Sequence, residues 1–383
     1  MLFAALPLLL LLPPQAGTRT FEQQTRALLK KGRIPGLQVA LVLGGEPDGS
    51  WAFGEGISRK TRFNAASLTR LITAAAVARL AEEKRIRLED RVEPLLPAPW
   101  LTRIQRPGIT WKQLLTRTSG LADVLETGKA GFGRAWLGKE KTDAAFLDRP
   151  EPLEKLLPRM LTKGEPAGYR HDSRDAFALL AFLVEKVAKK PFSEAASEAI
   201  LHPLGMDHSR LLRSSLPEDW PVAEGHGVPN EKGRIDPQAV WPRYEVCTLG
   251  DGALWTTAGD MARFVASLLD KKGLGKGKLL SREATLRLWT STVQDEDEEG
   301  LGLGFVLLDG WAGIEGGNPG YYAELWLQPD KRNGMVMLAN MDSDSGRAFR
   351  AMKNIEKAVR KELARRVVLN EKKKIVPKLS PGG

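Results

Sequence analysis

The sequence predicts an α+β protein in which strands near both ends of the chain bracket a helical middle. Three observations carry this reading. Residues 37–43 are an apolar run with β-branched content, followed by Gly44-Gly45 and a second extended stretch, residues 50–54, the pattern of a hairpin. Residues 324–330 and 334–341 are two more strand-like runs around a Pro-Asp-Lys-Arg-Asn-Gly turn. Between the two pairs the apolar residues recur at helical spacing, as in Leu68, Leu71, Ile72 and Ala75, or run continuously, as in residues 178–187.

Composition narrows the class further. The chain has 383 residues, 42% hydrophobic and 27% charged, with a net charge of +10. It is long enough to bury a large core in one big domain or two ordinary ones. A single cysteine, Cys247, excludes an internal disulfide framework and any cysteine-rich metal site. The four histidines form no metal-type pair, so neither a metal nor a cofactor is expected. No nucleic-acid motif accompanies the positive charge, and nucleic acid is not expected as a partner.

Residues 1–17 read as a targeting segment outside the fold. Leu2 to Leu12 is apolar apart from Pro7 and too short to span a membrane, and Pro13-Pro14-Gln15-Ala16-Gly17 offers a small-residue cleavage region. Export to the periplasm or beyond is the expectation; an uncleaved anchor or a buried first helix is the alternative, because no basic residue precedes the apolar run. Residues 20–31 then form a polar helix ended by Ile34-Pro35-Gly36. At the far end, residues 353–366 read as a basic helix, and Glu371-Lys372-Lys373-Lys374 opens a tail containing proline and glycine. That end is either a solvated helix with a frayed terminus or a weak contact for an anionic surface such as a membrane or cell-wall polymer.

The stretch around which the chain is organised is Asn64-Ala65-Ala66-Ser67-Leu68-Thr69-Arg70 and the alanine-rich helix after it. Asn64 is placed as an N-cap, and small alanines allow packing on several sides. Ser67 falls in the first turn, where backbone N–H groups and the helix dipole favour negative charge. From those residues alone it is either a cap or a nucleophile.

The surrounding motifs resemble the serine β-lactamase and penicillin-binding-protein superfamily, in its class C β-lactamase and D-aminopeptidase/esterase branch. Ser67-Leu68-Thr69-Arg70 stands where that family has Ser-x-x-Lys. Residues 109–121, Ile-Thr-Trp-Lys-Gln-Leu-Leu-Thr-Arg-Thr-Ser-Gly-Leu, Pro203-Leu204-Gly205-Met206, residues 250–264 and Ile314-Glu315-Gly316-Gly317-Asn318-Pro319-Gly320 match further family segments in the right order. The resemblance implies a β-lactamase/DD-peptidase-like fold over residues 18–366. An antiparallel sheet lobe, about 18–63 and 285–366, would be flanked by the terminal helices. A helical lobe, about 64–284, would be inserted into it, and residues 367–383 would be a flexible basic tail.

The resemblance also implies a serine that attacks a carbonyl to give an acyl-enzyme, with a lysine and a tyrosine relaying its proton and a His-x-Gly or Lys-Thr-Gly strand closing the site. Each reactive partner is changed here. Arg70 takes the lysine position, and a guanidinium cannot act as a base. By register, Asp172-Ser173-Arg174 falls over Tyr-Ser-Asn, and Tyr169 could substitute only if its loop is rebuilt. Ile314 takes the histidine position, with Glu315 and Gly316 following. Arg70 and Asp172 are therefore expected to ion-pair beside Ser67, a network that Arg174 and Glu315 could extend.

Three functions remain open at this stage. One is a catalytically degenerate, exported protein whose cleft binds a small molecule or a peptide of cell-wall type, or serves as scaffold. The second is a divergent serine hydrolase acylated on Ser67. The third is a surface-binding protein that acts through its basic terminus.

Overall fold

A computed structural model describes residues 19–102, 104, 107–121, 174–212, 217, 219–229, 235–241, 249–270, 279–290, 293–294, 300–342 and 346–375. The chain begins with α1 (Phe21–Gly32), whose Thr20 side chain caps it in a capping box with Gln23. The hairpin follows as β1 (Leu37–Leu43) and β2 (Glu46–Phe53), turning at Gly44 and Gly45 with φ of 60° and 88°. After β3 (Phe63–Asn64) come α2 (Thr69–Glu82), α3 (Trp111–Leu115) and α4 (Arg174–Ala188). The middle of the chain adds β4 (Arg210–Leu211), β5 (His226–Pro229), β6 (Ile235–Val240), α5 (Leu249–Gly252), β7 (Leu254–Thr256), α6 (Ala258–Leu269) and α7 (Arg282–Trp289). The last strands are β8 (Val293–Gln294), β9 (Gly300–Leu301), β10 (Val306–Leu308), β11 (Trp311–Asn318), β12 (Tyr321–Gln328) and β13 (Asn333–Ala339), before the closing helix α8 (Gly346–Ile375).

One sheet joins the two ends of the chain, in the order β2-β1-β13-β12-β11-β10-β9-β8, and every pair is antiparallel. β1 is its hinge: Leu37 pairs with Phe53 on one side and with Ala339 on the other. Both faces of β1 and β13 are covered, which is why these strands read as unbroken apolar runs and do not alternate with polar residues. Ala40, Val42, Val336 and Leu338 enter the core shared with α2, α4 and α6. Leu37, Val39, Leu41, Met335 and Met337 enter the other, beneath α8 and α1. The fold is thus α+β, an antiparallel sheet with terminal helices on one face and a helical lobe on the other.

α8 departs from its expected end. The basic helix runs to Ile375, beyond the expected stop near Arg366. The chain offers no glycine or proline until Pro377, and Val367 still packs against the apolar core.

Beneath α8 lies a buried carboxyl group. Glu315 on β11 and Glu324 on β12 are direct cross-strand partners and share one face of the sheet. Tyr322 Oη sits 2.9 Å from Glu315 Oε2 and 3.0 Å from Glu324 Oε2, and Trp326 Nε1 donates to Glu324 Oε1 at 2.7 Å. A phenol has one hydrogen and cannot donate to both carboxylates. The set is satisfied when Glu324 holds a proton, donates it to Tyr322, and Tyr322 donates to Glu315. Burial is the main cause that moves the Glu324 carboxyl up to about 7, with Lys353 opposing and Glu356 and Glu315 reinforcing.

A carboxyl raised in the folded state stabilises most when protonated in both states. As pH rises from about 4.5 to about 7 the unfolded chain loses this proton first, so stability falls across that window and is level above it. The loss is at most about 3 kcal/mol. Glu324→Gln, which mimics the protonated acid, should remove it. Denaturant midpoints at pH 5 and pH 7.5 check this: the wild type should lose more stability than the variant between the two.

Candidate active site

Ser67 lies in a 3-10 turn, Ala66–Leu68, that feeds directly into α2. α2 is buried almost all round, from Thr69 to Ala78 and at Leu80, as its small residues require. Asn64 does not cap α2; it ends β3 and holds the turn before the helix. Its Oδ1 accepts from Ala66 N at 2.9 Å and from Asn318 Nδ2 at 2.8 Å, and both asparagine amides reach Gly252 O, at 3.3 and 3.0 Å. Thr69 Oγ1 donates to Ala66 O at 2.7 Å and accepts from Leu254 N at 3.1 Å.

This bracing surrounds a strained residue. Ala66, directly before Ser67, has φ of 44° and is fully buried. A left-handed conformation costs a residue with a Cβ roughly 1–2 kcal/mol, so the asparagine pair and the threonine hold the turn against a local preference to relax.

β11 closes the other side. The face of β11 that turns to Ser67 is bare at Gly316, where an added Cβ would lie 2.5 Å from Ser67 Cβ and closer still to its hydroxyl. Only glycine allows the strand so near. Gly316→Ala should cost about 1–3 kcal/mol by overpacking, measured by denaturant midpoint; an unchanged midpoint would mean that the turn gives way freely. Ile314, two residues earlier on the same face, is 4% exposed and belongs to the apolar core. It presents neither a proton nor a charge.

Arg70 follows Ser67 by one turn. Its Nε donates to Asp251 Oδ1 at 2.6 Å, with the two side chains 3% and 7% exposed. Its guanidinium carbon stands 5.4 Å from the Phe177 ring centre. Asp251 comes from α5, which is pressed onto α2 and α4: Thr73 Oγ1 donates to Gly250 O at 2.7 Å, and a Cβ on Gly250 would collide with the Phe177 carbonyl. The ion pair is a fixed part of the packing.

Of the residues expected at the site, Ser67, Arg70, Ile314 and Gly316 come together. Glu315 does not join them. Alternation along β11 turns it to the opposite face, where it meets Tyr322 and Lys353 of α8, so it is no part of an Arg70 network. Asp172 and Tyr169 lie outside the described residues, as does the side chain of Arg174. Asp251 and the Asn64–Asn318 pair are the groups that the sequence reading missed. A charged residue inside Gly250-Asp251-Gly252-Ala253, a segment otherwise of small residues, was the available signal for Asp251. Among the described residues no cluster of histidine, cysteine or acidic side chains is placed to hold a metal ion.

A serine at the head of a buried helix, set against a glycine strand between a sheet lobe and a helical lobe, defines the β-lactamase and penicillin-binding-protein class of fold. The chain belongs to the β-lactamase family, whose model matches residues 21–359. It is 23% identical over 326 residues to Protein flp of Staphylococcus aureus, covering 82% of this chain and 61% of that one. It is also 23% identical over 296 residues to Penicillin-binding protein 4* of Bacillus subtilis, covering 74% of this chain and again 61% of the relative. The chain therefore spans about three fifths of the length of these curated relatives. Among solved structures, an octameric penicillin-binding protein homologue from Pyrococcus abyssi superposes with a TM-score of 0.69 at 23% identity, over 84% of this chain and 72% of the other.

Proposed function

We propose that this protein is a catalytically degenerate member of the β-lactamase family: it keeps the serine and the frame of the site, lacks the acylation machinery, and acts by binding or scaffolding. The observation that carries the proposal is the buried Arg70–Asp251 ion pair one turn from Ser67. Acylation needs a group that takes the serine proton near neutral pH, and a well-placed base is worth ~10²–10⁴-fold. A guanidinium does not give up its proton, and Asp251 faces that guanidinium. Ile314 supplies no replacement from β11. The occupant of the cleft would be a small molecule or a peptide of cell-wall type. The apolar segment at residues 2–12 supports export, and among the described residues no helix is long and apolar enough to cross a membrane.

One observation favours the alternative, a divergent serine hydrolase. Ala66 keeps its strained conformation immediately before Ser67, and strain of this kind concentrates at working active sites. Incubation with a fluorescent penicillin and with a fluorophosphonate, followed by intact-mass measurement, separates the two readings. The degenerate reading expects no adduct; a stoichiometric adduct that disappears in Ser67→Ala establishes the hydrolase.

A further inference from the structure

The charges on α8 fall into two populations. Cations that turn toward the body of the protein are paired: Lys353 with Glu315 and Glu356, Arg360 with Glu356 at 2.8 Å, and Arg366 with Glu362 at 2.8 Å and with Asp48. The outward side is different. Arg347, Arg350, Lys357 and Lys361 are exposed, with Asn354 between them, and they recur at helical spacing along one row. Among the described residues none of these four has an acidic partner within ion-pair distance. Arg365 extends the row, held in place by Glu362 at 2.8 Å.

No acidic residue interrupts the row. The acids of α8 are Glu356, Glu362 and Glu371, and none falls on it. From Arg347 to Arg365 the line runs ~27 Å at 1.5 Å per residue. Like charges one turn apart weaken a helix, and among the described residues no acid meets Arg347, Arg350, Lys357 or Lys361, although the inward cations of the same helix are neutralised. Past the row, Leu369 stands 43% exposed beside half-buried Val367 and Val368, so the charged line ends in an apolar shoulder.

We propose that the outward face of α8 docks this protein on an anionic lipid surface. A bilayer bearing acidic headgroups matches a straight line of cations on a single helix. Its interfacial layer also accepts the apolar shoulder, for which a soluble polyanion has no use. The contact is electrostatic at its origin and acts within a Debye length of about 8–10 Å.

The test is co-sedimentation of the full chain with vesicles in which roughly a third of the lipid is phosphatidylglycerol, at about 0.1 M salt. Binding is expected there, and loss of binding to pure phosphatidylcholine vesicles or at about 0.5 M salt. The triple variant Arg350→Glu, Lys357→Glu, Lys361→Glu changes only exposed positions; it should keep its denaturation midpoint and bind at least about tenfold more weakly. Leu369→Ser should weaken vesicle binding while leaving any binding to inorganic polyphosphate unchanged. Absence of vesicle binding by the wild type would overturn the proposal. So would equal binding by the triple variant, or binding to polyphosphate without binding to vesicles, which would assign the row to a soluble polyanion.

Discussion

Asp251→Ala should destabilise the protein by about 3–5 kcal/mol, far more than the ~0–1 kcal/mol that a surface ion pair contributes. The reason is what remains. Arg70 is 3% exposed, and without Asp251 this buried guanidinium loses the carboxylate that meets its Nε. The converse follows from the same physics. Replacing both partners by apolar residues, as in Arg70→Met with Asp251→Val, removes the buried cation together with the carboxylate at its Nε and should recover most of the loss. Denaturant midpoints of the two single variants and the double variant close the cycle. A single-variant cost below about 1 kcal/mol would show that the pair is solvated and not a fixed part of the core.

The second large effect is chemical. The unmodified protein should form no covalent adduct with penicillins and hydrolyse p-nitrophenyl esters at trace rates only. Restoring a lysine is not enough by itself. In Arg70→Lys the ammonium would sit beside the Asp251 carboxylate, which favours its charged form and keeps it from acting as a base. Arg70→Lys with Asp251→Ala removes that partner in the low-dielectric interior, where desolvation lowers the lysine toward neutrality. The double variant should therefore label Ser67 measurably, and the single variant should not. A base worth ~10²–10⁴-fold sets the scale of the gain.

The fold was legible because its signals are local. Gly44-Gly45 and the Pro-Asp-Lys-Arg-Asn-Gly turn each announce a hairpin, and the doubly covered strands β1 and β13 announce themselves by unbroken apolar runs. Ser67 was placed correctly at the head of its helix for the same reason. The site's partners were harder because they are set by tertiary packing. Asp251 is 181 residues from Arg70 and Asn318 is 254 from Asn64. No periodicity reports such a contact; Asp172, expected from a register counted along a loop, lies outside the described residues. Glu315 was within reach of sequence reasoning: alternation from Gly316 already turns it away from Ser67. The length of α8 was equally readable from the missing breaker before Pro377.

The claim on which everything else turns is that the group one turn from Ser67 is locked as a cation and cannot take the serine's proton. Intact-mass measurement after exposure to a fluorophosphonate and to a fluorescent penicillin tests it most directly. The wild type should return its unmodified mass with both reagents, and Arg70→Lys with Asp251→Ala should return a fraction raised by the mass of one adduct on Ser67. A wild-type protein converted fully to the adduct, with Ser67→Ala left unmodified, would contradict the account.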